Sequence, residues 1–328
     1  IYGRITKKII LKNMINKKVI SKKHLLYNVM HLQNYGKKIC AVVKANAYGH
    51  GSEKIVEFLK NKIGLFAVAN ADEAILLRQK FNHIKLLILG KTTNFLCAIK
   101  NHIEITIDKL SELKQIESIA KKIGSTVCVH IKVNTGMNRL GTRSLCYFKK
   151  LIDYISASNF LVLSGVFTHF FDTENANIFA TQLAFFKKFV DRIPKNLSPT
   201  IHIGGSGVLN YELPSWVDVV RVGLWLYGYG NKNLKPVLKI CSFVSETKTI
   251  LAGEYVGYSS VYRAKKMMKI ATVGIGYADG FVRALSNCGY VYILGKKCKI
   301  VGNICMDMLM CDITHLKKPI SPNCPVVV

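Results

Sequence analysis

Nowhere in the 328 residues is there an apolar run of the roughly 18 to 20 residues that a membrane-crossing helix needs, which speaks against a helical membrane protein. The lysine-rich stretch Ile1 to Ile20 holds apolar segments too short for the core of a secretory signal, and no small-residue cleavage site follows it. A cytoplasmic location is the expectation. The ten cysteines include no Cys-x-x-Cys pair, so neither a zinc ribbon nor a thioredoxin-type redox motif is present. Most of them lie in apolar runs (Cys40, Cys128, Cys241) and read as small buried hydrophobes in a reducing compartment. Acidic residues are scarce: 19 stand against 47 Lys and Arg, a formal net charge of +28. Such an excess suggests a polyanion partner only when it is gathered on one face. Here it is spread along the chain in pairs such as Lys7-Lys8, Lys17-Lys18, Lys121-Lys122 and Lys187-Lys188. No zinc-finger spacing, RRM signature or recognition-helix motif accompanies it. It reads as solvated surface, and no specific nucleic-acid partner is expected.

What the chain does have is a repeat. Apolar runs predict strands at Ile39–Val43, Leu65–Ala69, Lys85–Leu89, Glu104–Ile107, Thr126–Val133, Ser164–Thr168, Thr200–Ile203 and Val219–Val222. Amphipathic stretches between them predict helices at Lys22–Tyr35, Ser52–Asn61, Ala71–Lys80, Lys109–Lys122, Thr142–Ala157 and Ala176–Asp191. Strands alternating with helices in this way specify an α/β protein with a (β/α)8 TIM-like barrel, over residues 21–232. From 233 to 328 helical periodicity fades. Glycine-punctuated strands are predicted at Val237–Thr249, Met268–Gly274, Tyr290–Leu294, Lys299–Ile304 and Met308–Ile313, a smaller, mostly β domain. Residues 1–20 are expected to pack on it. The chain opens without Met and closes in Cys324-Pro325-Val326-Val327-Val328, which reads as a strand just starting, so both ends are expected to be incomplete.

One peptide carries chemistry on its face. Ala41-Val42-Val43-Lys44-Ala45-Asn46-Ala47-Tyr48-Gly49-His50-Gly51 is a buried strand that ends on a lysine and opens into a glycine-flanked turn. Burial disfavours the ammonium form, lowers the pKa and leaves a nucleophilic amine. That is the state required to join an aldehyde cofactor such as pyridoxal phosphate as an imine. The other reading is a strand ending in a solvated lysine. In a barrel, functional side chains gather in the loops after the strands, and several notable ones do so here. Lys132, Asn134, Met137 and Arg139 follow the fifth strand, and His169 the sixth. Gly204-Gly205-Ser206-Gly207 follows the seventh, and Arg221-Val222-Gly223-Leu224 the eighth. Glycine amides, a helix start and the Ser206 hydroxyl suit a phosphate. Asp279 and Asp307 lack partners at ligand spacing, so no metal site is expected.

These blocks, with Val256-Gly257-Tyr258, Gly276-Tyr277-Ala278-Asp279-Gly280 and Gly302-Asn303-Ile304-Cys305-Met306-Asp307, closely resemble the motifs of alanine racemases, in the same order over nearly the whole chain. The resemblance implies a pyridoxal-phosphate-dependent isomerase that interconverts L- and D-alanine for cell-wall peptidoglycan. It also implies a homodimer with shared active sites. Lys44 and Tyr258 are implied as the two catalytic bases, Tyr258 reaching the other subunit's site. Tyr48, His169, Ser206, Arg221, Gly223 and Leu224 are implied to hold the cofactor. Arg221 would face the pyridine nitrogen, with His169 hydrogen-bonding toward it. Arg139, Met306 and Tyr277 are implied substrate contacts, and Lys132 matches a lysine carbamylated in many members. As residues alone, Tyr48 reads almost as readily as a half-buried barrel-mouth aromatic, His169 as a packed strand-end histidine, and Tyr258, one of 15 tyrosines, more often as packing. Asn138 and Asn303 occupy motif positions that vary in the family. The family's β domain runs tens of residues beyond this endpoint and includes a further phosphate-contacting tyrosine. Serine- or lysine-type racemases and decarboxylases of the same plan are the alternatives, although the decarboxylases usually place a carboxylate where Arg221 stands.

Overall fold

A computed structural model describes residues 16–328. They divide into two compact units, Lys22–Val237 and Leu238–Val328, the second joined by the strand β1 (Lys17–Ile20). For residues 1–15 the expectation of packing on the β domain lies outside the described residues; β1 itself pairs antiparallel with β10 (Leu238–Ile250).

In the larger unit eight strands close a barrel: β2 (Lys38–Val42), β3 (Leu65–Val68), β4 (Leu86–Ile88), β5 (Glu104–Ile107), β6 (Val127–Val133), β7 (Leu161–His169), β8 (Thr200–Gly204) and β9 (Val219–Val222). All neighbours are parallel, and β9 returns to β2 with Cys40 opposite Arg221. Strands covered on both faces read as continuous apolar runs, which is why they were legible. The helices follow the expected amphipathic logic. Leu110–Ile123 buries Leu113, Ile116 and Ala120 at helical spacing, ends on left-handed Gly124, and carries Lys121 and Lys122 in its last turn beside the carbonyl end of its dipole. Asn70, Ser144 and Asn175 cap three others through their side chains. The six-residue helix Phe95–Lys100, capped by Asn94, was not predicted; it is too short to display a period.

In the smaller unit β10, β11 (Met268–Val273), β12 (Tyr290–Ile293), β13 (Lys296–Lys299), β14 (Leu309–Asp312) and β15 (Pro325–Val327) form a sheet in the order β13-β12-β15-β10-β11-β14. β15 pairs with both β10 and β12. Val244, Ala271, Val291, Ile293 and Leu309 are fully buried in its core. The strand expected at Lys299–Ile304 instead lies at Lys296–Lys299. Leu294 and Gly295 both have positive φ and make a tight two-residue turn, so pairing with β12 resumes at once. Three exposed lysines there hid the strand from an apolar pattern. All ten cysteines are free thiols; Cys40, Cys241, Cys298 and Cys311 are buried, whereas Cys128 is only half-buried.

Candidate active site

Lys44 leaves β2 at the C-terminal mouth of the barrel and enters an unusual turn. Ala45, Asn46, Ala47 and Tyr48 all have φ between 51° and 54°, a left-handed helical turn built without glycine. Such a conformation costs an L-residue roughly 1–2 kcal/mol, so the surroundings must hold it. The Glu73 carboxylate does so, accepting from the Ala45 amide and the Ala69 amide, both at 2.8 Å. Asn46 Oδ1 accepts from the Ser52 amide, and Ala47 N–H donates to Val43. Strain concentrated at one point of a fold marks a functional site. Burial and the nearby Arg139 lower the Lys44 pKa, with Glu73 opposing them.

Lys44 shares a cavity of about 210 Å³ with Lys132, Arg139, Phe167, His169 and Arg221. Arg221 is buried, and burial brings its pKa down to about 10, so it remains a cation at neutral pH. Its guanidinium lies 4.6 Å from the Phe167 ring centre and donates to the Thr168 carbonyl at 2.6 Å and to His202 Nδ1 at 2.9 Å. The hydrogen bond expected between His169 and Arg221 is not formed, and the histidine that Arg221 does bond is His202. His169 stands beside Arg221, both facing Gly204: a Cβ there would sit 2.3 Å from the arginine Nη2 and 2.6 Å from His169 Nδ1. Burial, then the charges of Arg221, Arg139, Lys132 and Lys44, push His169 down to about 3, so its ring is neutral.

Ser206 opens a short 3-10 turn after β8, and Leu224 opens another after β9. The leading amides of such turns have no partner within them. Tyr48 leans over Gly223: a Cβ on that glycine would come within 2.3 Å of the phenolic oxygen. Ser206 Oγ lies 3.5 Å from the Trp225 amide. Two hydroxyls and the turn amides of Gly223 and Leu224 thus make a cradle of donors suited to a phosphate, while the cavity holds a lysine with a lowered pKa and a donor-only cation. A phosphorylated aromatic aldehyde fits this donor set. Tyr227, two residues past Trp225, lies in the same run as Arg221. It is fully buried, donates to the Val42 carbonyl at 2.8 Å, and supports Tyr48 ring to ring at 5.3 Å.

Arg139 lies in a loop that Asn134 and Asn138 organise. Asn134 Oδ1 accepts from the Gly136 and Asn138 amides, and Asn138, with φ of 55°, accepts from Asn134. Asp108 accepts from the Gly141 amide and pairs with Lys91, which also pairs with Glu112. Lys132 is buried beneath, and burial followed by Arg221 and Arg139 lowers its amine to about 8.

In the smaller unit three motif loops converge. Asn303 Nδ2 donates to the Tyr258 carbonyl, Tyr277 N–H to Cys305, and Ala278 N–H to Met306. Gly276 and Gly302 permit these crossings: a Cβ on either would come within 2.4 Å of a facing carbonyl oxygen. Tyr258, Tyr277 and Met306 all project as exposed side chains from this knot. Asp279 accepts from the Gly276 amide and closes its own turn.

Residues 20–231 match the N-terminal domain of alanine racemase, and residues 237–328 its C-terminal domain. The alanine racemase of Borreliella burgdorferi is 35% identical over 313 residues, covering 90% of this chain and 83% of that one. An alanine racemase structure from Bartonella henselae with covalently bound pyridoxal phosphate superposes with a TM-score of 0.83 at 29% identity, covering 95% of this chain and 90% of that one. A histidine racemase from Leuconostoc mesenteroides gives 0.86 at 25% identity, with 95% and 87% covered. With the motif residues gathered at one barrel mouth and in one loop knot, and both domains matched along nearly the whole described chain, this protein belongs to the alanine racemase family and is an isomerase.

Proposed function

We propose that the protein is a pyridoxal-phosphate-dependent racemase that interconverts L- and D-alanine with two bases, Lys44 and Tyr258, and supplies D-alanine for peptidoglycan. The carrying observation is that Lys44 and Arg221 line one cavity at the barrel mouth. The barrel (21–232) would hold the cofactor: Lys44 through its amine, the phosphate through Tyr48, Ser206 and the amides of Gly223 and Leu224, and the ring beside His169. When bound, pyridoxal phosphate draws electrons from an attached amino acid and makes its α-proton removable. The Lys44 amine exchanges that proton on the D face. A single tethered base reaches the opposite face poorly, so Tyr258, from the β segment (233–328) of a second copy, serves the L face. A phenol accepts a proton only once ionised, so positive charge at the assembled site would assist Tyr258. Arg139 holds the substrate carboxylate, and Tyr277 and Met306 of the second copy line the substrate's entry and contact the same carboxylate. Lys132, with its amine lowered to about 8 among positive neighbours, is suited to carbamylation, which would replace a repelled cation by an anion facing Arg139.

Arg221 donates and never accepts. Beside the cofactor it would leave the ring nitrogen unprotonated and the ring a weak electron sink, which would favour proton return over transamination. Arg221→Glu is therefore expected to raise the pyruvate formed per D-alanine at least about tenfold, the factor for a 1.36 kcal/mol change between competing barriers; an unchanged product ratio refutes this role.

The similarity to a histidine racemase favours a second reading, a broader substrate range. Chiral analysis across a panel of L-amino acids, with pyridoxal phosphate added, decides. Alanine is expected to give the highest kcat/KM, and a protein that forms no D-enantiomer of any of them overturns the assignment.

A further inference from the structure

The barrel interior holds a second polar assembly, which leads away from the cavity. Four side chains from four strands form one hydrogen-bonded line: Arg221 Nη1 to His202 Nδ1 at 2.9 Å, His202 Nε2 to His130 Nδ1 at 2.9 Å, and His130 Nε2 to Glu104 Oε2 at 2.7 Å. His130, His202 and Arg221 are buried, in a space that such barrels normally fill with branched aliphatic side chains. Glu104 opens β5 and so lies toward the N-terminal end of the barrel, opposite the mouth that carries Lys44.

The chemistry of the two ends fixes the direction of the whole line. Arginine has only donors, so His202 Nδ1 must accept, and a neutral His202 carries its proton on Nε2. That proton goes to His130 Nδ1, which leaves His130 protonated on Nε2, facing a carboxylate that accepts. Every bond is then satisfied in one arrangement, a cation at one end and an anion at the other.

The backbone is shaped for this line. A Cβ on Gly165 would come within 2.2 Å of His130 Nδ1 and 3.0 Å of His202 Nε2, so the two rings meet only because β7 carries glycine there. Val129 pairs with Leu163 but His130 with Gly165, so Ser164 is an extra residue, and this bulge sets which way the strand presents its neighbours. Gly204 makes the same kind of room at Arg221. Phe167 stacks on His202 at 4.7 Å and lies under the guanidinium. Two glycines, a bulge and an aromatic shelf are more than a chance contact needs.

We propose that Glu104 is a positioning residue for the reaction, acting through His130 and His202 to hold Arg221 as a fixed, donor-only cation toward the cofactor ring. This rests on the racemase reading of the cavity. With Glu104 removed, the reversed arrangement becomes accessible, in which His202 Nδ1 carries a proton toward Arg221 and displaces it.

The test has a spectroscopic arm and a kinetic arm. In cofactor-free protein labelled with 15N-histidine, imidazole spectra should show His130 and His202 protonated on Nε2 and bare at Nδ1. In Glu104→Leu at least one of these rings should become a mixture of tautomers. Loaded with pyridoxal phosphate, that variant should lose kcat for L-alanine on the order of tenfold to a hundredfold, the range found when an outer partner orienting a metal ligand is removed. KM should move far less, and pyruvate per D-alanine should rise. Glu104→Gln, whose amide oxygen still accepts, should recover most of both effects; a merely structural carboxylate predicts no such link between ring tautomer and product ratio. A wild-type His202 protonated at Nδ1 or at both nitrogens overturns the proposal, and so does Glu104→Leu with native tautomers and turnover. If Glu104→Leu does not fold, the wild-type spectrum and Glu104→Gln decide. Failure of the racemase reading registers separately, as loaded wild-type protein that makes no D-alanine while its rings show the stated tautomers; that result removes the reaction role.

Discussion

Lys44→Ala is expected to reduce D-alanine formation from L-alanine by more than about 10⁴-fold, because it removes both a proton-transfer group and the covalent anchor that orients the reacting carbon. The variant should also fail to give the long-wavelength absorbance that pyridoxal phosphate acquires on joining a lysine. Lys44→Arg separates charge from nucleophilicity. A guanidinium keeps the cation but cannot lose its proton, so it should be as inactive as alanine and equally colourless. The wild-type residue differs from both in having an amine whose pKa burial and Arg139 bring down. Appreciable turnover in either variant ends the assignment of Lys44 as a base. Neither substitution should unfold the protein, since Lys44 is only half-buried and the turn beyond it is held by Glu73 and by its own backbone bonds.

Tyr258→Phe should produce a one-sided enzyme. Racemisation falls by about 10²- to 10⁴-fold, the usual range for losing a general base. In heavy water, however, deuterium should still enter D-alanine, through the Lys44 amine, and should no longer enter L-alanine. Equal loss of exchange from both enantiomers argues against a two-base division of labour. A shared-site arrangement would make a further demand. Mixing Lys44→Ala chains with Tyr258→Phe chains, refolded together, should restore about a quarter of wild-type activity: half of randomly formed C2 dimers are mixed, and each mixed dimer has one intact pair of bases. If Tyr258 serves its own chain, every site in the mixture lacks one base and activity stays absent. The exposed position of Tyr258 beside the left-handed Ser259 and Ser260 suits a residue that completes its site elsewhere.

The candidate site was legible in the sequence to differing depths. Lys44, Lys132, His169 and Arg221 announced themselves by standing at the ends of apolar strands and Arg139 by its place in the loop after one, and they line one cavity. Tyr227 and Glu73 gave no such sign. The first lies in a run of aromatic and aliphatic residues, and the second in an ordinary charged first turn of a helix. His130 and His202 carried a weak sign that went unread. His130 precedes Lys132 by two residues and His202 precedes Gly204 by two, so alternation along a strand sends each to the same face as a motif residue.

By itself the sequence determined the alternation of strands and helices, the change to a mostly β pattern in the C-terminal part, and the chemical kind of each group at the barrel mouth. These depend on local periods of two and 3.6 residues and on strand ends, both of which a linear chain displays. Only the tertiary structure decided that Ala45 to Tyr48 turn left-handed, because that conformation runs against local preference and is imposed by Glu73 from 28 residues away. It likewise decided that Arg221 bonds His202, and that a carboxylate at the opposite end of the barrel closes the line. Closure of eight strands brings residues 26 and 72 positions apart within hydrogen-bond reach, and the depth of their burial then requires each polar group to find a partner.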